Sequence, residues 1–189
     1  MKRENLKQSL LEVSEMLLRE KGYNGWSYQD LSDAIGIRKA SIHYYFPKKE
    51  DLGCALIEYY EQKSMNYLTQ AESNAVTARD KLNAFVKLYA SILDEPHSFC
   101  LCGMLAADLM TLPEKMQIPL KKSLQAQQDW LEKTLKEAKN ELSKVKSFEK
   151  EASEVLSCLQ GMLLIARLKS NPKKVFTENA FHYLDSKFK

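Results

Sequence analysis

Apolar residues that return every three or four positions, with very few breaks, are the feature that most restricts this chain. Leu6, Leu10, Val13, Leu17 and Leu18 set the pattern at the front. It returns as Leu52, Leu56, Ile57 and Tyr60, then as Leu82, Phe85, Val86 and Tyr89, and again as Leu120, Leu124, Leu131 and Leu135. Such spacing lines one face of an α-helix, whereas a half-buried strand would alternate. Only 6 Gly and 5 Pro punctuate 189 residues, and no long alternating Val, Ile or Thr run argues for a sheet. An all-α fold is expected.

The breaks divide the pattern into helices. Gly22 is the expected stop of the first. Ser27-Tyr28-Gln29-Asp30 reads as an N-terminal cap, imperfect because its acid is Asp, and opens a second helix with Leu31, Ala34 and Ile35 inward. Gly36 interrupts, and a third short helix is expected from about Arg38 to Tyr44 or Tyr45. A fourth carries Pro47 in its first turn and runs towards Leu68. Beyond Asn74, a helix is expected from Ala78 to Leu93, with Pro96 breaking it. A short apolar segment then runs from Phe99 to Leu112, and Pro113 and Pro119 mark a kinked connection. The long helix from Leu120 to Ala138 leads into a polar helix end and loop, 139–150. Two last helices, about 148–168 and 175–184, are separated by Ser170-Asn171-Pro172.

Composition excludes several classes. The 28 Lys and Arg against 25 Asp and Glu give a net charge of +3, so the surface is not flooded with positive charge. Four cysteines are too few for a disulfide scaffold, which fits a reduced intracellular chain. The apolar run around Gly161 to Ala166 is far too short for a membrane span, and the amphipathic start is not a signal peptide. A cytoplasmic protein is expected. The three histidines, His43, His97 and His182, are widely spread, with no H-E-x-x-H pattern, Gly-rich phosphate loop or dinucleotide fingerprint. No enzyme, metal or cofactor is expected.

What the chain offers instead is two short helices joined by a Gly-containing turn, the helix-turn-helix arrangement. In it, the first helix crosses the DNA backbone and the second enters the major groove. Ala34, Ile35, Ile37, Ala40, Ile42 and Phe46 can hold the pair against the first helix, leaving Lys39, Ser41, His43, Tyr44 and Tyr45 as candidates for the outward face. Arg38, Lys39, Lys48 and Lys49 bracket the second helix, a placement suited to phosphate anchoring.

The segment Ile35-Gly36-Ile37-Arg38-Lys39-Ala40-Ser41-Ile42-His43-Tyr44-Tyr45-Phe46-Pro47-Lys48-Lys49-Glu50-Asp51-Leu52 resembles the DNA-binding domain of the TetR family of bacterial transcriptional repressors. It keeps the turn Gly followed by an aliphatic residue, the Ser at a Thr/Ser position and the Tyr-Phe-x-x-Lys-x-x-Leu ending; His43 departs from the family's usual Tyr. The resemblance implies a helix-turn-helix domain over 1–50 and an effector-binding and dimerisation domain over 51–189. It also implies that Ser27 and Tyr28 touch phosphates, that Lys39 and His43 read the groove, and that Ser41, Tyr45 and Lys49 anchor phosphates, with Tyr44 partly packed. The helix from Pro47 to Leu68 would be the covalent lever between front and back.

By the same resemblance the last two helices, within about 148–188, pair with those of a second copy. Val155, Leu156, Leu159, Met162, Leu163, Ile165 and Leu168, with Phe176, Phe181, Tyr183, Leu184 and Phe188, supply apolar surface for such a homodimer. Phe85, Tyr89, Phe99, Met104, Met110, Met116 and Trp130 form an aromatic and methionine set suited to a small, mostly apolar effector. His97 is a polar candidate beside Pro96. Cys100-Leu101-Cys102-Gly103 resembles a stretch in a branch of the family with electrophile- or oxidant-responsive members, which makes Cys100 and Cys102 candidate redox sensors. The function implied is a ligand-responsive repressor that binds a palindromic operator as a homodimer. The alternatives are a redox-responsive repressor and a helical interaction module without specific DNA binding.

Overall fold

The computed structural model describes residues 3–95, 99–143 and 145–189. Pro96, expected as a helix breaker, and His97 lie outside them. The described chain is all-α: α1 (Arg3–Lys21), α2 (Tyr28–Ile35), α3 (Lys39–Tyr45), α4 (Lys49–Asn74), α5 (Ala78–Ser91), α6 (Leu101–Ala107), α7 (Glu114–Glu137), α8 (Phe148–Ala166) and α9 (Pro172–Asp185). Pairing of the β type is confined, among the described residues, to one bridge between Leu142 and Phe188. No described helix is long and apolar enough to cross a membrane.

Three helix starts differ from expectation, each at a proline. Pro47, expected in the first turn of α4, precedes that helix, which starts at Lys49. The last helix starts at Pro172 rather than Val175, because proline lacks only an N–H that the first turn leaves unpaired, and Asn171 caps it by accepting from Lys174 N at 3.3 Å. Pro119 lies inside α7 rather than in a connection before it. It removes the N–H that Lys115 O would otherwise accept. That carbonyl instead takes the Cys54 thiol at 3.5 Å.

The chain forms two compact units, Met1–Gln62 with His97–Ser123, and Lys63–Pro96 with Leu124–Lys189. The segment expected as the DNA-binding domain, 1–50, lies wholly within the first. The helices α4 and α7 both contribute residues to each unit, so the expected lever, α4, is one of two continuous helices.

In the first unit α1 packs on α2 and α6, and α2 on α3. Leu10, Leu18, Leu31, Ile42, Leu52, Leu56 and Leu105 are its fully buried apolar centre. The buried face of α1 also includes Ser14, Glu15 and Arg19, which the leucine spacing did not indicate. Arg19 pairs with Glu15 at 3.3 Å and donates Nε to Phe99 O at 3.0 Å, while Phe99 N donates to Arg19 O at 2.9 Å. The same edge is tied by Tyr23 N to Asp108 Oδ2 at 3.3 Å and by Asn24 Nδ2 to Thr111 Oγ1 at 2.8 Å. In the second unit α5, α8 and α9 pack on one another around Leu82, Phe85, Leu159, Phe176 and Ala180.

Candidate functional site

The helix-turn-helix is fixed by short-range chemistry. Ser27 Oγ accepts from Gln29 N at 3.2 Å, and Asp30 Oδ2 accepts from Ser27 N at 2.8 Å and from its hydroxyl at 2.7 Å. Asp therefore closes the capping box that Glu or Gln more often closes. The Ser27 hydroxyl, first, and its N–H hold the Asp30 carboxyl below the usual carboxylate range. At the other end Gly36 turns left-handed, φ 75°, which favours glycine. Its N–H and that of Ile37 donate to Ser32 O at 2.9 and 3.1 Å, and the Ser32 hydroxyl donates to Ile37 O. Ser32, passed over in the sequence, is the centre of the turn.

The second helix, α3, is pinned by buried Ile42 and Phe46. Lys39 and His43, four residues apart, both come out exposed on it. Among the described residues no hydrogen bond or ion pair engages the Lys39 ammonium, so its charge is available. His43 Nδ1 lies 3.1 Å from Pro47 O. A carbonyl can only accept, so Nδ1 carries the proton and Nε2 is the ring's remaining polar atom. The ring edge meets Tyr28 at 4.9 Å between centroids.

Trp26, Ser27, Tyr28, Gln29, Lys39, His43 and Lys49 line one open groove of about 380 Å³. Five of the seven residues expected to meet DNA are thus brought together, although not all with free polar groups. Tyr28 is buried and its hydroxyl donates to Phe46 O at 2.9 Å, a clamp between α2 and the end of α3; burial pushes that phenol upward. Lys49 turns inward as well. Its ammonium donates to the carbonyls of Tyr23 and Trp26 and sits over both rings, 4.6 and 4.4 Å from the centroids. Burial pulls the Lys49 ammonium down and pushes the Tyr23 phenol up to about 12.

The other two expected contacts, Ser41 and Tyr45, are half-buried. Tyr44, expected to be partly packed, is 69% exposed and meets Tyr45 edge-on at 5.2 Å. Ala34 and Ala40, expected inward, are exposed; on helices this short, Leu31 and Ile42 fill the inner face. Trp26 and Gln29 are groove residues that the sequence did not single out.

The expected effector residues divide between the two units. Phe85, Tyr89 and Trp130 come together in the second, with Phe85 stacked on Tyr89 at 5.1 Å and on Trp130 at 5.6 Å. The Tyr89 hydroxyl donates to Gln127 Oε1 at 2.8 Å and accepts from Gln160 Nε2 at 3.1 Å, two partners that the pattern of apolar residues could not reveal. Phe99, Met104, Met110 and Met116 belong to the first unit. Met110 is 94% exposed, while Met116 is wholly buried. A Cβ on Gly53 would lie 2.5 Å from Met116 Cε, so Met116 serves as packing between α7 and α4.

Cys100 and Cys102 are both buried. Burial, then the neighbouring Cys100, pushes the Cys102 thiol well above its ordinary range, and its Sγ lies 3.5 Å from Ser123 Oγ. A reactive sensor needs an accessible thiolate, and this arrangement disfavours one. Among the described residues no three His, Cys, Asp or Glu side chains are grouped to hold a metal ion.

On α8, Val155, Leu156, Leu159 and Leu163 are spent on the chain's own core. Leu164 and Ile165 remain exposed, by 57% and 55%, beside Gly161, and so does Leu168, 80% exposed in the turn just past the helix.

Comparison with known proteins agrees with this architecture. The model of bacterial regulatory proteins, tetR family, matches residues 10–55. The crystal structure of a TetR transcriptional regulator from Legionella pneumophila is 34% identical over all of both chains, with a TM-score of 0.88. A TetR-family regulator from Agrobacterium tumefaciens is 28% identical over 98% of this chain and 99% of its own, with a TM-score of 0.91. Among curated proteins, the transcriptional regulator AcuR of Cereibacter sphaeroides is 31% identical over 119 residues, 60% of this chain and 53% of AcuR, so the chain spans about half of that relative.

Proposed function

The chain belongs to the TetR family of bacterial transcriptional regulators, and from that premise we propose that it is a ligand-responsive repressor whose homodimer binds a palindromic operator. The family is one of non-catalytic DNA-binding proteins. The observation that carries the reading is the groove beside α3, where Lys39 and His43 stand on one helical face above a capped α2. A lysine there suits guanine O6 and N7, and His43 Nε2 is a second polar reader. Ser41, Tyr45 and exposed Tyr44 flank them as phosphate contacts. In this reading Tyr28 and Lys49 act by holding the groove's shape, and Ser27 by capping α2.

A second copy docks through α8 and α9, covering Leu164, Ile165 and Leu168. Two recognition helices then meet successive major grooves about 34 Å apart. The protein acts in the cytoplasm, where its operator is. A small, mostly apolar effector in the second unit releases DNA, because it binds the DNA-incompetent arrangement more tightly; equal affinity for both would shift nothing. Both α4 and α7 are covalent routes for that change. The buried thiols favour a ligand over a redox trigger.

The test is genome-wide fragment binding by the purified protein at stated salt, beside a Lys39→Ala/His43→Ala double mutant. One enriched palindrome, lost or altered in the still-folded mutant, is the expected result. Weak, salt-sensitive binding without a preferred sequence would rule out the operator reading.

A further inference from the structure

Among the described residues, the second unit buries a donor that has no acceptor. Trp130 is 6% exposed, and its indole Nε1–H has no hydrogen-bond partner among the described residues. It stands at the end of the Phe85 stack, where the two planes differ by 20°. Three helices converge there: α5 brings Phe85 and Tyr89, α7 brings Gln127 and Trp130, and α8 brings Gln160. A second polar atom at the centre, the Tyr89 hydroxyl, both donates and accepts. A buried donor left unmade is costly, whereas a satisfied one is nearly neutral. The stack is thus apolar and flat on its faces, with one unmet polar demand at a ring edge.

We infer that the effector is a flat, largely apolar molecule bearing one hydrogen-bond acceptor, which takes the Trp130 Nε1–H in the indole plane while its apolar body packs beside the rim of the Phe85–Trp130 stack; this rests on the repressor reading above. The indole N–H points along the ring plane, so the acceptor arrives edge-on. Donor-only ligands and plain hydrocarbons leave the cost in place. A ligand that removes it gains affinity without any new apolar area.

Two isosteric pairs test the inference: quinoline against naphthalene, and acetophenone against α-methylstyrene. The chain has only two tryptophans, Trp26 and Trp130, so indole 15N–1H spectra carry two side-chain signals, assigned with Trp26→Phe. Quinoline and acetophenone are expected to bind about tenfold more tightly than their hydrocarbon partners and to move the Trp130 N–H signal downfield. The hydrocarbons should leave that signal near its starting position. In Trp130→Phe, kept if its far-ultraviolet spectrum is unchanged, the preference within each pair should vanish. Equal affinities within a pair, failure of all four probes to bind, or a shift confined to Trp26 would overturn the inference. A Trp130 signal that stays fixed while the probes bind would also overturn it, as expected if an internal water already holds the N–H. Operator binding is measured on the same samples, so loss of specific DNA binding alone would sink the repressor reading and leave the ligand result standing.

Discussion

At the residue scale, the main lesson is that a cation's position in a motif does not say which way it points. Lys39 opens α3 and Lys49 opens α4, yet one is exposed and the other is held over Tyr23 and Trp26. Their substitutions should therefore separate. Lys39→Ala should weaken operator binding by about 1–3 kcal/mol and relax base preference at one position, with the melting temperature held. Lys49→Met should lower the melting temperature, since it removes two carbonyl partners' donor and the cation–π contacts. It should leave the slope of log affinity against log salt unchanged, where loss of a true phosphate contact reduces that slope by about one. A salt titration of both variants, alongside thermal melts, decides between cage and anchor.

At the element scale, two joints carry predictions. Ser27→Ala removes the α2 cap and should cost about 1 kcal/mol, read from urea midpoints at neutral pH. Asp30 has its carboxyl lowered by that cap. A lowered carboxylate contributes stability above its unfolded value and loses it as pH falls through the folded value. The wild-type advantage over Ser27→Ala should thus be full at neutral pH and fade on acidification below the usual carboxylate range. The second joint is Gly53 against Met116. Gly53→Ala sets a methyl 2.5–2.6 Å from the Met116 Cε and Sδ, and the thioether is fully buried, so neighbours must move with it. A loss of about 1–3 kcal/mol is expected, largely recovered in Gly53→Ala/Met116→Ala relative to Met116→Ala alone. A cycle that shows plain additivity would mean that α4 and α7 are not in close register there.

At the scale of the whole molecule, the exposed apolar strip formed by the end of α8 and the turn after it, Leu164, Ile165 and Leu168, is the handle. Leu168→Glu places a charge on a face that a homodimer would bury, while leaving a side chain already 80% exposed in the protomer. Sedimentation should show monomers, with the helical spectrum intact. Operator affinity should fall by more than any single base contact accounts for, because one half-site is lost. An unchanged dimer would move the association surface elsewhere on the chain.

The sequence by itself determined what depends on neighbours a few positions apart. The helical class follows from spacing and from the scarcity of breakers. The start of α2 follows from Ser27 and Asp30, its end from the left-handed turn at Gly36, and the exposed pair Lys39 and His43 from a separation of one helical turn. Even there, proline misled three times: Pro47 stays outside α4, while Pro119 and Pro172 are tolerated inside or at the head of a helix once the orphaned carbonyl or missing N–H is accounted for. Tertiary structure alone decided which polar groups turn inward. Arg19 is buried because it holds Phe99, Tyr28 because Phe46 O needs a donor, and Lys49 because two rings and two carbonyls converge on it. It also split the aromatic and methionine set, leaving Phe85, Tyr89 and Trp130 together and sending Met116 to pack on Gly53. These outcomes turn on partners up to some 80 positions away, brought close by packing, and periodicity carries no information about them.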